Sequence, residues 1–395
     1  MRTRTYAFLQ KDLYVRPNGF LNAHRNDLPL QTYPRHTRRG KTSMKEERPV
    51  ENISSPLLSW YDENKRSLPW RGVKNAYYTW VSEIMLQQTR IEAVKGYYAR
   101  FIKELPTVEA LASCPEERLL KLWEGLGYYS RVRNMKLAAI DVCEHYGGIL
   151  PSTKEELLTL KGIGDYTASA IASISYGEKV PCVDGNVLRV YARLMADGED
   201  ILSTGMKKKV NMDLLSIMSK ERPGDFNEAL MELGQTICLP GQPLCEQCPL
   251  SDLCKAYREG DIEKYPYKKA KKAQREEERT ILIIQDGEES ALTKRPSKGL
   301  LAGLYEPVNL SGHLSREDAL MQVEGLGLTP LYIEELPPAV HVFSHIIWRM
   351  ICYRIRVSAL REGKDKGLIF ARRDEVSTSY ALPSAFDAYR PYLSR

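Results

Sequence analysis

The chain of 395 residues is long enough for two or three domains, and its hydrophobic content of 43% suffices for ordinary packed cores. Since the sequence contains no run of about 18 apolar residues, we expect no membrane span. The N-terminus also lacks the apolar stretch of a signal peptide, which predicts a reduced, cytoplasmic protein.

The net charge of +6 comes from the N-terminus. Residues 1–50 contain eleven Lys and Arg and four acidic residues, whereas residues 51–395 contain 46 basic and 47 acidic residues. A nucleic-acid-binding surface on the main part of the chain must therefore be a local patch. Residues 1–50 show no helical periodicity and are rich in Pro, Asn and Arg, so we interpret them as a disordered basic extension.

The remaining chain divides into a helical body and a second domain of mixed structure. From residue 53 to about residue 236, hydrophobic periodicity predicts successive helices joined by short turns. Residues 255–278 are rich in Lys and Glu and are interpreted as a linker. The pattern beyond them predicts strands at 279–285, 291–294 and 340–353, and a helix around 316–324. The predicted fold is a mainly α body, residues 51–254, followed by an α+β domain, residues 279–395.

Within the body, a glycine-containing turn separates two predicted helices. Ser152 and Glu155 form a capping-box pattern for the first helix, and the second is predicted over residues 165–176. Gly162 and Gly164 lie between them and permit a tight hairpin. The amides of such a hairpin can bind one DNA phosphate without reading the base sequence, although a Gly-x-Gly turn alone is more often a plain helix connection.

Four cysteines form a C-x6-C-x2-C-x5-C array, consisting of Cys238, Cys245, Cys248 and Cys254. Thiolates at this density favour a metal centre, because a bound cation offsets their mutual repulsion. Zinc sites usually have two C-x2-C pairs, whereas this array has one pair and two unequal arms, which favours a cubane iron–sulfur cluster. Four buried thiols or two disulfides are the alternative.

The hairpin, Asp184 about twenty residues later and the cysteine array occur in the order typical of the helix–hairpin–helix DNA glycosylase superfamily with an iron–sulfur cluster. The chain resembles this superfamily from about Leu57 onward, and within it the MutY adenine glycosylase family most. Tyr166 stands where the similar endonuclease III has its nucleophilic Lys. Residues 82–89 (SEIMLQQT) resemble the catalytic helix of the adenine glycosylases, and a C-terminal domain follows the cysteines, which endonuclease III lacks.

The resemblance implies a monomeric base-excision repair enzyme with a [4Fe-4S] cluster on the four cysteines. Its partner would be double-stranded DNA that contains adenine opposite 8-oxoguanine or guanine. A bifunctional glycosylase/lyase of the endonuclease III kind is opposed by Tyr166. A non-catalytic damage-binding or redox protein is opposed by the presence of both Glu83 and Asp184.

The catalytic roles follow from the resemblance as well. Glu83 would protonate N7 of the extruded adenine, and Asp184 would stabilise the sugar cation, with Tyr166 touching Asp184 and Asn186 assisting. The apolar neighbours of Glu83 predict burial and a raised pKa. Simpler interpretations exist for each residue: a solvated helix carboxylate for Glu83, a helix N-cap for Asp184 and Asn186, and a packing role for Tyr166.

Further residues resemble the family's binding surfaces. The rim of the adenine pocket would comprise Arg66, Trp70, Arg71 and Glu228. The loops that wedge the duplex and meet the opposite base would contribute Gln88, Thr89, Leu126 and Tyr128. Candidate phosphate contacts are Arg131, Arg133 and Lys136, for which a solvated helix face is the alternative.

The C-terminal domain resembles a Nudix fold that lacks its catalytic glutamates. Residues 316–327 (REDALMQVEGLG) do not contain the REx2EE arrangement that binds magnesium in Nudix hydrolases, which predicts recognition without hydrolysis. Phe343, Ser344 and His345 resemble the loop that reads 8-oxoguanine, with Ser in place of the commoner Thr. An ordinary strand end is the alternative for this segment.

Overall fold

The computed structural model describes residues 48–270, 273–360 and 367–393. Most of the basic extension predicted for residues 1–50 lies outside this range. Within the described ranges, no helix has the length and apolar character needed to span a membrane.

The body is built from helices over the described residues. Helices in the first part are α1 (Ser54–Asn64), α2 (Ala76–Leu86), α3 (Ile91–Glu104), α4 (Val108–Ser113), α5 (Glu116–Leu122) and α6 (Ser130–Tyr146). The second part contains α7 (Lys154–Leu157), α8 (Asp165–Ala170), α9 (Gly185–Met195), α10 (Thr204–Ile217), α11 (Pro223–Thr236) and α12 (Lys255–Glu259).

Two hydrophobic cores organise these helices. Helices α2 to α6 and the glycine hairpin enclose the first core, which contains the fully buried Trp80 and Trp123. Helices α1 and α9 to α11 enclose the second, which contains Tyr61 and Phe226. Burial of such large aromatic side chains supplies much of the stabilisation of each core. A cleft remains where the two cores meet, and both contribute side chains to it.

The hairpin differs in detail from its prediction. The first helix is capped by Thr153 rather than Ser152: the Thr153 hydroxyl accepts a hydrogen bond from the Glu156 amide at 3.3 Å and donates one to the Glu156 carboxylate at 2.7 Å. The same Ser/Thr-x-x-Glu pattern therefore operates one residue later. Helix α8 continues as a π-helical turn over residues 171–175.

Over its described residues, the C-terminal domain contains a mixed seven-stranded sheet. Its elements are β1 (Arg275–Asp286), β2 (Glu289–Lys294), β3 (Tyr305–Glu306), β4 (Val308–Ser311), α13 (Arg316–Gly325), β5 (Pro330–Val342), β6 (Ile346–Val357), β7 (Leu368–Arg372), α14 (Arg373–Thr378) and α15 (Arg390–Leu393). The order is β3-β2-β1-β6-β5, with β4 on β1 and β7 on β2.

Two boundaries in this domain differ from the sequence prediction. Strand β1 begins at Arg275, inside the predicted linker, because its first residues pair in parallel with β6 from Ile346 onward. The single strand predicted over 340–353 is the end of β5 and the start of β6, joined by a turn at residues 343–345. Both strands are rich in β-branched and apolar residues, so the sequence pattern continues through the turn.

The C-terminal domain packs directly on the body. Leu304 and Ala381, which are buried, belong to the same apolar core as Trp123. At the edge of this contact, the Glu124 carboxylate accepts hydrogen bonds from the Arg390 guanidinium at 2.8 Å and the Leu382 amide at 3.0 Å. The contact therefore combines an apolar centre with a charged margin.

Candidate active site

A cavity of about 880 Å³ lies in the cleft between the two cores of the body. It is lined by side chains from α2, the hairpin, the start of α9 and α11. Ten of the residues predicted from the sequence line it together: Arg66, Trp70, Arg71, Glu83, Gln88, Thr89, Tyr166, Asp184, Asn186 and Glu228. The structure thus brings these ten residues, which are up to 162 positions apart in the sequence, to one concave surface. A binding or catalytic site requires such convergence.

Glu83 is the most perturbed acid of this cavity. It lies on α2 and is only 7% exposed. The pKa of Glu83 is raised to about 7, mainly because burial removes the hydration of the charged form, and the nearby carboxylates of Glu228 and Asp184 contribute to the rise. The expected burial and direction of the pKa shift are both found. A carboxyl with this pKa exchanges protons near neutrality, as a general acid must.

Tyr166 contacts Glu83 rather than Asp184. Its hydroxyl donates a hydrogen bond to Oε2 of Glu83 at 2.7 Å and lies 3.1 Å from Sδ of Met231. The predicted contact with Asp184 is therefore replaced by one with the candidate acid, because the start of α8 faces α2. The hydrogen bond favours the ionised carboxylate and partly opposes the rise in the pKa of Glu83.

Asp184 is the N-cap of α9 and also lines the cavity, while its role towards a sugar cation stays a prediction. Its Oδ1 accepts a hydrogen bond from the Val187 amide at 2.8 Å, which caps α9, and its Oδ2 accepts one from Nδ2 of Asn186 at 2.7 Å. Burial raises the pKa of Asp184, and the two hydrogen bonds oppose that rise. Asn186 is fixed in turn by Nη2 of Arg189, at 2.9 Å from its Oδ1. The carboxylate is thus held in one orientation at the cavity wall.

Two arginines and two glutamates form the rim of the cavity. Oε1 of Glu232 accepts a hydrogen bond from Nε of Arg66 at 2.6 Å, and its Oε2 accepts one from Nη2 of Arg71 at 3.0 Å. Glu228 contacts Nε of Arg71 at 3.2 Å and the Tyr61 hydroxyl at 2.8 Å. Burial alone would raise the pKa of Glu232, but the two guanidinium groups lower it overall.

Glu232 was not predicted from the sequence, although it is 1% exposed and joins both rim arginines. The sequence does contain a pattern that could have predicted Glu232. Glu228 and Glu232 are four residues apart on α11, so they share one face of that helix. Trp70 lines the cavity and also packs edge-to-face on Tyr98, with ring centroids 5.2 Å apart.

A second cavity, of about 650 Å³, lies between the body and the C-terminal domain. The loop of Leu126 and Tyr128 lines one side, and the turn formed by residues 343–345 lines the other. Tyr128 is 46% exposed, whereas Leu126 is buried in the first core, so Tyr128 is the side chain that this loop presents. Phe343 is held between His341 and Trp348, with ring centroids at 4.5 and 4.9 Å.

The predicted phosphate contacts have mixed outcomes. The prediction that Arg131 contacts a phosphate is wrong, because its guanidinium is directed inward and binds main-chain carbonyls. Arg133 binds Glu116 at 2.8 Å and the Ala302 carbonyl at 2.7 Å, so it belongs to the contact between the domains. Lys136 is half-buried and stays a prediction.

The hairpin glycines have different structural requirements. Gly162 has a φ of +79°, and a Cβ on it would lie 2.5 Å from Cβ of Asn134, so only glycine fits without rearrangement. A Cβ on Gly164 would meet no atom within 4 Å. The turn is thus shaped by close packing of Gly162 on α6, and its binding of a phosphate stays a prediction.

The four clustered cysteines line one cavity beside α9 and are unpaired. Nη1 of Arg193 lies 3.3 Å from Sγ of Cys238. Burial raises the pKa of the Cys248 thiol to about 12, so a bound cation is needed to keep it ionised. In the described part of the chain, no three side chains of His, Cys, Asp or Glu converge on a single-ion site. The free thiols and the adjacent guanidinium fit an anionic iron–sulfur cluster.

Comparison with known proteins assigns the chain to a class and then to a family. Residues 81–214 match the HhH-GPD superfamily of base excision DNA repair proteins, and residues 279–390 match a NUDIX domain. The adenine DNA glycosylase of Homo sapiens is 37% identical over 350 residues, which are 73% of this chain and 64% of that protein. The adenine DNA glycosylase of Mus musculus is 37% identical over 355 residues, which are 75% of this chain and 69% of that protein.

Among solved structures, a thermostable thymine-DNA glycosylase is similar, with 27% identity, a TM-score of 0.48, and coverage of 53% of this chain and 97% of that one. The match over the helical body places the chain in the helix–hairpin–helix superfamily of base excision DNA repair proteins. Within that class, the chain belongs to the adenine DNA glycosylase family, whose members are hydrolases of N-glycosyl bonds. The predicted family, fold class and enzyme class are thereby confirmed.

Proposed function

We propose that this protein excises adenine from double-stranded DNA where adenine is opposite 8-oxoguanine or guanine, and that it leaves an intact abasic strand. One observation carries the proposal: Glu83, a buried acid with a pKa of about 7, shares a cavity with the ordered carboxylate of Asp184. Two carboxyl groups with different environments can take the roles of proton donor and cation stabiliser.

The chemistry requires the target adenine to leave the base stack and enter the cavity. The protonated fraction of Glu83 donates its proton to N7 of the adenine. The N-glycosidic bond then breaks with its electron pair on the departing base, and the sugar becomes an oxocarbenium ion. The ionised Asp184 stabilises that cation. A water molecule adds to the sugar carbon and gives its proton to the Glu83 carboxylate, which restores the acid.

Three groups set up this reaction. Tyr166 orients Glu83 through its hydroxyl, and Asn186 orients Asp184 through its amide. The rim formed by Arg66, Arg71, Glu228 and Glu232 would surround the purine with hydrogen-bond donors and acceptors. A lyase step needs an uncharged amine to attack the sugar, and Tyr166 cannot supply one. The proposal is therefore a monofunctional glycosylase.

The four cysteines of the array would hold the iron atoms of a [4Fe-4S] cluster. When bound, the cluster would supply a rigid link between the segment of residues 238–254 and α9. Arg193 would offset part of its negative charge beside Cys238, and Arg189 holds the Cys238 carbonyl at 2.9 Å. The protein would be monomeric and cytoplasmic, in keeping with its free thiols.

The second cavity supports recognition of the base opposite the adenine. Tyr128 is exposed on the body side, and the Ser344 hydroxyl, which lies 3.2 Å from Nδ1 of His345, is exposed on the other. An oxidised guanine in this cavity would find an aromatic wedge and hydrogen-bonding groups. The C-terminal domain would thus read the lesion and perform no hydrolysis.

Base release from three duplexes tests this function, with adenine opposite 8-oxoguanine, adenine opposite guanine, and thymine glycol opposite adenine. We expect free adenine from the first two, no release from the third, and strand breaks only after alkali. Release of thymine glycol with breaks before alkali would instead support a bifunctional enzyme. Mismatch binding without release of any base would support a non-catalytic damage-binding protein.

A further inference from the structure

One half-buried arginine, Arg131, joins the end of α2 to a loop, and these two segments line different cavities. The guanidinium of Arg131, near the start of α6, donates four hydrogen bonds to main-chain carbonyls. Nη1 binds the Ile84 and Gln87 carbonyls at 2.6 and 2.7 Å, and Nη2 binds the Leu126 and Gly127 carbonyls at 2.9 and 3.2 Å. Its plane also lies over the rings of Trp123 and Tyr128, with 5.4 and 5.5 Å to the centroids.

The two pairs of carbonyls belong to functionally different segments. Those of Ile84 and Gln87 lie at the C-terminal end of α2, the helix that carries Glu83. Carbonyls at a helix end lack partners within the helix, and a cation there is favoured by the helix dipole. Those of Leu126 and Gly127 belong to the loop that presents Tyr128 to the second cavity. One side chain therefore connects the helix of the candidate acid with the loop of the candidate wedge.

Both segments also contain backbone strain. Gln88, which follows α2, has a φ of +60°, and Tyr128 has a φ of +45°. Side chains other than glycine adopt this left-handed region at a cost in free energy, and the conformation persists only where the surroundings impose it. Gln88 lines the first cavity and Tyr128 the second, and both are exposed. The two strained residues are thus among the four that the sequence predicts to contact the duplex.

We propose that Arg131 is a positioning residue that holds Gln88 and Tyr128 in the conformations required to extrude the target adenine. Through the same hydrogen bonds it couples the reading of the opposite base to the position of Glu83. This inference rests on the proposed function. Lysine cannot replace Arg131, because a compact ammonium has three donors and cannot span four carbonyls arranged around a planar fork.

Arg131→Lys tests the proposal, with Arg118→Lys as the matched control. Arg118 is exposed and binds Glu104 at 2.6 Å, away from both cavities. We expect Arg131→Lys to lower single-turnover adenine release at saturating enzyme by about tenfold or more, while affinity for a fully matched duplex stays within about threefold. A 2-aminopurine in place of the target adenine should lose most of its fluorescence rise on binding. Arg118→Lys should equal the wild type in all three measurements.

A rescue experiment separates positioning from general stability. Gln88→Asn keeps the amide and lowers the cost of the left-handed backbone, because asparagine adopts that region more readily. Adding it to Arg131→Lys should recover about threefold or more of the lost release rate. Thermal unfolding of each variant shows whether it is folded at the assay temperature. If Arg131→Lys is not folded there, Arg131→Gln, with an uncharged planar donor, takes its place.

The inference is overturned if the Arg131 variant matches the wild type in release and fluorescence. It is also overturned if matched-duplex affinity falls as much as release does, or if Gln88→Asn gives no rescue. Absence of adenine release by the wild type contradicts the proposed function instead. In that case the fluorescence of the Arg131 variant relative to the wild type still decides the positioning role.

Discussion

At the candidate active site, two carboxylates differ in how their oxygens are held. Glu83 accepts one hydrogen bond from a tyrosine hydroxyl, whereas Asp184 accepts one from a backbone amide and one from a side-chain amide. Hydrogen bonds to a carboxylate favour its charged form, so Asp184 is better suited to remain ionised beside a sugar cation. Glu83, which is more deeply desolvated, is better suited to carry a proton at neutral pH.

Isosteric amides separate these two roles from binding. Glu83→Gln removes the transferable proton and Asp184→Asn removes the negative charge, while both keep the shape of the site. We expect each change to lower adenine release by about a thousandfold or more, with mismatch affinity retained within about tenfold, because phosphate contacts dominate affinity. Single-turnover release and equilibrium binding measure the two effects. Substantial turnover in either variant would contradict the assignment.

At the scale of single elements, the hairpin is held by the fit of Gly162 against α6. Gly162→Ala would place a methyl group against Asn134 and force a non-glycine residue into a φ of +79°. We expect a loss of about 2 kcal/mol or more in the free energy of unfolding. Urea denaturation gives this value, and Gly164→Ala is the control, since its added methyl group meets no atom within 4 Å. Equal destabilisation by both changes would show that the packing of Gly162 is unimportant.

The cysteine segment provides a second test at this scale. Cys248→Ser should remove the broad brown absorbance expected of an iron–sulfur cluster and weaken DNA binding, because residues 238–254 would lose their common anchor. Cys143→Ser is the control, since Cys143 lies outside the array on α6. Iron content and absorbance of anaerobically purified protein are the measurements. Stoichiometric zinc without iron in the wild type would refute the cluster.

At the scale of the whole molecule, the charged margin of the domain contact centres on Glu124. Its carboxylate binds Lys121 at 2.6 Å and Arg390 at 2.8 Å, and it caps the Leu382 amide. Glu124→Gln should loosen the C-terminal domain and widen the cavity that contains Tyr128. We expect the preference for 8-oxoguanine over guanine opposite adenine to fall by about tenfold, because a misplaced contact group loses most of its effect.

The release rates on the two duplexes measure this preference. The control is Glu104→Gln, which alters an exposed ion pair with Arg118 and should leave the preference for 8-oxoguanine unchanged. An unaltered preference in Glu124→Gln, together with unchanged proteolytic sensitivity between the domains, would show that this contact does not set the geometry of the second cavity.

The sequence predicts the parts of the site whose signals are local. Glu83 is flanked by apolar residues that predict its burial, and the cysteine spacing is visible within residues 238–254. The missed features depend on partners far along the chain: Glu232 meets Arg66, 166 residues away, and Arg131 meets Ile84, 47 residues away. Arg131 resembles a surface cation in the sequence, because its guanidinium binds the end of α2 and the loop of residues 126–127, which only the folded chain brings together.

For the fold as well, the sequence predicts the features with local signals and misses those that depend on distant contacts. Helical periodicity and the change of pattern after the linker are sufficient to predict a mainly α body and an α+β domain. The parallel pairing of β1 with β6 and the docking of Leu304 into the first core join segments distant in sequence, so no local pattern indicates them. The strand predicted over 340–353 extended through the turn at residues 343–345, because apolar and β-branched residues stand on both sides of that turn.

Glu83, a buried acid with a pKa of about 7, is proposed to protonate the departing adenine, and the pH dependence of adenine release tests this step most directly. Because the active form has Glu83 protonated and Asp184 ionised, the single-turnover rate should fall about tenfold per pH unit above about pH 7 and should fall again at acidic pH as Asp184 takes up a proton. Tyr166→Phe removes a hydrogen bond that favours the ionised form, so the fall should move to higher pH. A rate that is independent of pH, or that rises through neutrality, would contradict the account.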